Sequence, residues 1–148
     1  MSLRDWEKNG WLRAPTTTKQ EIADLVAIAD RDLIASKTVG LHDDWRLNIA
    51  YNAALQLATA ALAANGYRVD RGGGNQHYRT IDALSLTLGT DANTIKKLDI
   101  FRKKRHLSDY ERVGATTGKD VDEMRSIAEK LKSDLLAWFD QNHPKLKP

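Results

Sequence analysis

Apolar residues recur three and four positions apart along almost the whole chain, and nowhere do they alternate strictly. That spacing belongs to helices burying one face, whereas a half-buried strand needs strict alternation. The pattern predicts an all-α fold. At 148 residues, one domain with a continuous core is the natural unit. There is no cysteine, so the core must hold without disulfides, and cysteine-ligated zinc, iron–sulfur clusters and thiol catalysis drop out.

The helices can be placed from their caps and stripes. An N-terminal extension, residues 1–17, carries Trp6 in a short segment from Leu3 to Asn9, then Trp11 and Leu12. Thr18-Lys19-Gln20-Glu21 reads as a capping box, opening a helix with Ile22, Leu25, Val26, Ala29 and Leu33 on one face. Asp43 or Asp44 caps the next helix, whose stripe is Leu47, Tyr51, Ala54, Leu55, Ala58 and Leu62 and whose stop is Asn65-Gly66. Its many alanines allow close approach, so it is either the central helix or a subunit contact. After a loop containing Gly72, Gly73 and Gly74, a shorter helix runs from about Gln76 with Ile81, Leu84 and Leu88 inward. Thr90 or Asp91 caps a helix from about Ala92 to Glu111. Asp120 with Glu123 caps the last one, with Val121, Met124, Ile127, Ala128, Leu131, Leu135, Trp138 and Phe139 on its stripe. His143-Pro144 ends it, leaving residues 141–148 as a frayed tail. The expectation is an antiparallel up-and-down bundle of four to five helices over residues 19–140.

Net charge is only +3, from 23 basic and 20 acidic residues. Any nucleic-acid argument must therefore rest on local clustering. The N-terminal residues lack the apolar core of a signal peptide, and no apolar run approaches the roughly 20 residues that span a bilayer. A cytoplasmic protein with no membrane partner is expected. His42, His77, His106 and His143 are scattered without metal-ligand spacing, so neither metal nor cofactor is expected.

The strongest clustering is Phe101-Arg102-Lys103-Lys104-Arg105-His106-Leu107-Ser108-Asp109-Tyr110. On a wheel of about 100° per residue, Ile95, Leu98 and Phe101 mark the inward side, and Arg102, Arg105 and Asp109 share that arc. Lys96, Lys103 and Lys104 fall mostly outside it, as solvated charges. Guanidiniums on a core-facing stripe are costly unless paired or facing a cleft. Arg105 and Asp109 could pair at four residues' spacing, as Arg102 and His106, or His106 and Tyr110, could meet. Two readings follow: a salt-bridge network fixing helix register, or a cleft in which arginines grip phosphate.

The stretch beginning Arg105-His106, on a late helix of a small bundle, resembles the HEPN superfamily (higher-eukaryote and prokaryote nucleotide-binding domains). Nuclease members carry an Arg, usually followed by a polar residue, and a His after four to six intervening residues. Arg105 and His106 match the first two positions, and Tyr110 stands where the His would be. The resemblance spans about Lys19 to Asp140 as a helix pattern. It implies a bundle, often a homodimer, with Arg-bearing helices facing across a cleft. It further implies RNA or nucleotide as ligand, with a nucleotidyltransferase-type protein partner in a toxin–antitoxin or defence system. With Tyr110 in the His position, the expected function is binding with weak or no cleavage. Arg102 and Arg105 would grip phosphate, His106 and Tyr110 would contact the ligand, and Asp109 would orient Arg105. One alternative is a metal-independent ribonuclease with Arg105, His106 and Tyr110 as catalytic residues. Another is a structural bundle with no ligand.

Asn48, Asn52 and Thr59 run along one edge of the alanine-rich helix. They form either a plain polar border or a wall of the same cleft. The loop Arg71 to Arg79 lacks the Gly-Lys-Ser/Thr of a P-loop and a preceding strand, so it reads as a connector. His77 and Arg79 could still project towards a cleft at the bundle end.

Overall fold

A computed structural model describes residues 1–110 and 116–148, with the side chains of 106–110 outside the described set. Among the described residues the protein is all-α apart from one two-residue ladder. In chain order the elements are α1 (Leu3–Lys8), β1 (Leu12–Arg13), α2 (Lys19–Ala35), α3 (Asp43–Ala64), β2 (Arg68–Val69), α4 (Gln76–Asp82), α5 (Leu84–Thr87), α6 (Ala92–Tyr110) and α7 (Gly118–Asn142). Short 3-10 turns cover Arg71–Gly73 and Pro144–Leu146.

α3 is the axis. Its leucines and alanines, from Leu47 through Tyr51, Ala54 and Ala58 to Ala64, are buried, and α2 and α7 pack along it. Ala50, Ala53, Ala54, Ala60 and Ala61 are fully enclosed: with only a methyl group at these positions, backbones can approach on several sides. By length and composition α3 is apolar enough to cross a membrane, which the sequence reading had not anticipated. However, 72% of its apolar window is buried inside the bundle, so its hydrophobicity is used on neighbouring helices.

Side-chain contacts fix the helix directions. Arg46 Nε donates to Ser36 O at 2.8 Å and Asn52 Nδ2 to Asp32 Oδ2 at 2.6 Å. Rising numbers in α3 thus meet falling numbers in α2, and the pair is antiparallel. Lys97–Glu123 at 3.1 Å and Lys104–Asp120 at 2.6 Å show the same for α6 and α7. Gly118 lies beside Asp43, while Ala64 and Trp138 line one small cavity at the other end, so α3 and α7 run parallel.

Several caps differ from expectation. Thr18 Oγ1 accepts from the Glu21 N–H at 3.1 Å, but Glu21 turns to Arg68 at 2.6 Å instead of closing the expected box. The residue before α3 is His42, which makes no side-chain cap bond; Asp43 and Asp44 sit in the first turn instead, where the helix dipole favours negative charge. Asp91 Oδ2 caps α6 through the Thr94 N–H at 3.1 Å. The last helix begins three residues before the expected Asp120. Thr117 and Asp120 form its reciprocal capping box, because Thr117 supplies the hydroxyl that accepts the orphan N–H while Asp120 returns to the cap backbone. Beyond α7, Leu146 packs on the core and Lys147 pairs with Asp140 at 2.9 Å, so the expected frayed tail folds back.

The ladder pairs Leu12 with Val69 and Arg13 with Arg68. It fastens α1 to the end of α3 over a satellite core of Trp6, Leu12, Leu62 and Ala83. Trp6 and Trp11 meet edge to face at 5.5 Å, and the Arg79 guanidinium lies 4.2 Å from the Trp11 ring centroid.

Candidate functional site

Leu98 and Phe101 anchor α6 in the core. Arg102 follows Leu98 by four residues and Arg105 follows Phe101 by four, so both guanidiniums emerge on the inward stripe. They are half-buried, and they meet the start of α4. The chain reaches that position through Gly74 at φ +66° and Asn75 at φ +51°, the one non-glycine residue in the left-handed region among those described. Asn tolerates that conformation better than most side chains. The turn lays Gln76, His77 and Tyr78 opposite Arg102, Lys103 and Arg105 around an open cavity of about 680 Å³.

Each arginine is held differently. Arg102 Nε donates to Asp99 Oδ1 at 2.9 Å, and its guanidinium lies 5.7 Å from the Tyr78 ring centroid. Lys103 takes the other Asp99 oxygen at 3.2 Å. Burial alone would raise the Asp99 carboxyl, but hydrogen bonds from Arg102 and Lys103 outweigh it and hold it below the usual carboxylate range. The Arg105 guanidinium lies 5.0 Å from the centroid of the Tyr51 ring. Such a contact contributes roughly 0.5–2 kcal/mol. Among the described residues, no carboxylate pairs with Arg105.

Tyr51 is the floor beneath Arg105. It is fully enclosed, and its hydroxyl has no hydrogen-bond partner among the described residues. Burial pushes the phenol up to about 12, against the opposing pull of Arg105 and Arg102. It therefore stays neutral, and its ring supplies the negative π face that a cation seeks. His77 responds in the opposite sense. His77 is an exposed side chain, but its desolvation against the cleft wall, then Arg105 and Arg102, lower it from the usual histidine value. The cleft thus holds a histidine biased to neutrality by desolvation first and by two arginines second. At the end of α4, outside the residues that line the cleft, burial and then Asp99 raise the Asp82 carboxyl.

The sequence-derived candidates divide. Arg102 and Arg105 come together in this cleft. Asn52 is used elsewhere, donating to Asp32 and accepting from Gln56 at 3.3 Å. Asn48 Oδ1 is buried without a partner among the described residues, and neither asparagine lines the cleft. Lys104, expected as a solvated charge, is bound to Asp120 across to α7. The expected contacts of His106, Asp109 and Tyr110, including an Arg105–Asp109 pair, lie outside the described residues. Gln76, Tyr78 and Tyr51 were not among the sequence candidates. The signal for the first two was the glycine run followed by Asn75; for Tyr51 it was an aromatic hydroxyl on an otherwise aliphatic stripe.

These features describe an all-α protein with a basic, aromatic-edged cleft between a glycine-turned short helix and the last third of α6. Comparison with protein-family models, curated proteins and solved structures finds no match.

Proposed function

We propose that the chain is a HEPN-like module that binds RNA or a nucleotide in the α4–α6 cleft. The observation that carries this reading is the charge imbalance there among the described residues. Arg102, Lys103 and Arg105 share the cavity wall, and Asp99 answers two of them while Arg105 rests on an aromatic ring. Two guanidiniums with free edges suit a phosphate, which accepts in a bidentate manner. Tyr78, exposed at the rim, would stack a base, and Gln76 would bond its edge. In this proposal the module acts with a protein partner in a toxin–antitoxin or defence setting, as the HEPN resemblance implies, and its helices meet those of a second copy.

A second reading, RNA cleavage, is favoured by one specific observation: His77 lies at the arginine cleft and is biased to its neutral form. A neutral imidazole can take a proton from a ribose 2′-hydroxyl while arginines stabilise the phosphate charge that develops. Incubating labelled RNA with the protein in EDTA separates the readings. Binding without cleavage, lost in Arg105→Ala, supports the module. Cleavage lost in both Arg105→Ala and His77→Gln supports the enzyme. Absence of any RNA or nucleotide binding contradicts both.

A further inference from the structure

On the other side of Gln76 and His77 lies a second cavity of about 410 Å³ that the cleft does not use. Arg13, Arg68 and Arg71 line it from the ladder and the turn after it, and Gln56 and Thr59 line it from α3. Gln76 and His77 line both cavities, so a wall two residues wide divides them.

The charge arrangement is unusual. Arg13 and Arg68 are direct cross-strand partners in the ladder, and like charges placed opposite one another are destabilising. Arg68 is relieved by Glu21 at 2.6 Å. Arg13 has no such relief among the described residues, and neither does Arg71. Of the nearby carboxylates, Glu21 pairs with Arg68, and Asp70 turns one oxygen to the Gly72 N–H at 3.0 Å. The turn itself is braced, with Gln76 Nε2 donating to Arg71 O at 3.1 Å. Two exposed guanidiniums are thus held on the wall of one cavity with a third arginine, and neither forms an ion pair among the described residues. An anion supplied from outside would relieve that repulsion.

We propose that Arg13 and Arg71 form a second phosphate subsite, and that one nucleic-acid strand crosses Gln76 and His77 to place a phosphate in each cavity. The inference rests on the cleft reading above and extends it from a mononucleotide to a strand. A mononucleotide fills only the Arg102–Arg105 cleft, whereas an oligonucleotide engages both.

The test is fluorescence-anisotropy titration of a labelled single-stranded RNA octamer, with adenosine monophosphate as competitor. The proteins compared are wild type, the double variant Arg13→Gln with Arg71→Gln, and Arg105→Ala. Thermal melts confirm that each variant folds. The double variant should bind the octamer at least tenfold more weakly and leave the monophosphate's affinity unchanged. Its plot of log affinity against log salt should flatten by about 1.4, since each phosphate contact on a single strand contributes roughly 0.7 to the slope. If the double variant binds the octamer as wild type does while Arg105→Ala loses it, the subsite is overturned and the cleft reading stands. Equal loss of octamer and monophosphate in the double variant also overturns it. If wild type binds neither, the cleft reading fails and the subsite with it.

Discussion

α6 presents two charged faces that are built differently. Towards α7 its cations are answered one for one: Lys97 by Glu123 and Lys104 by Asp120, with Lys130 and Asp134 pairing alongside on α7. Towards α4, among the described residues, a single carboxylate, Asp99, serves Arg102 and Lys103, and Arg105 lies on the Tyr51 ring. The first face uses lysines, compact point charges suited to single ion pairs. The second uses arginines, whose planar forks keep donors to spare after one contact. A balanced face joins two helices; an unbalanced one keeps donors open to a ligand. Basic residues on a helix therefore say little until their partners are counted face by face.

The largest effect comes from removing what both faces stand on. Leu98 is fully buried, and Leu98→Ala should cost about 2–5 kcal/mol in urea unfolding, weakening ion pairs and cleft together. A loss confined to ligand binding would show that α6 is not anchored in this way.

The pH response isolates the unbalanced face. His77 is biased neutral by desolvation and by Arg105 and Arg102, and a bound phosphate would favour its protonated form. Affinity for RNA should therefore rise several-fold as pH falls from about 7.5 towards 5.5, across the usual histidine range, and this rise should vanish in His77→Gln. The ligand-free protein should respond the other way. Its folded-state histidine titrates below the unfolded one, so stability falls as pH drops through the usual histidine value of 6.5 towards the lowered value. Affinity that is flat with pH would remove His77 from the site.

Tyr51 sharpens the contrast further. Its hydroxyl is buried without a partner among the described residues, so Tyr51→Phe should leave stability unchanged or raise it by up to about 1 kcal/mol while preserving RNA affinity. Tyr51→Leu removes the ring beneath Arg105 and should weaken binding several-fold. Equal binding by the two variants would mean that the ring does not position Arg105. The smallest effect belongs to the balanced face. Lys97→Ala should change stability by no more than about 1 kcal/mol, because the pair is partly solvated, and should leave RNA affinity unaltered.

Much of this arrangement was legible in the sequence, for reasons specific to each element. The stripes of α2 and α3 are long and continuous, so their burial follows from spacing alone. Leu98 and Phe101 likewise place Arg102 and Arg105 on the inward side of α6. What escaped depends on distant partners. Nothing local says that the Gly74–Asn75 turn lays His77 and Tyr78 against α6. Nor does spacing reveal that Lys104 finds Asp120, sixteen residues away. The ladder is two residues long, too short to show alternation. The start of α7 was misplaced because Asp120-Glu123 and Thr117-Asp120 both read as caps, and only backbone geometry chooses between them.

The claim on which the rest depends is that the unbalanced face of α6 binds phosphate through Arg105. The most direct measurement is the salt dependence of single-stranded RNA affinity for wild type, Arg105→Ala and Lys97→Ala. Phosphate binding through Arg105 predicts at least a tenfold loss in Arg105→Ala, with a slope shallower by roughly 0.7, and a Lys97→Ala curve that overlays wild type. Equal effects from the two variants, or an Arg105→Ala curve that overlays wild type, would contradict it.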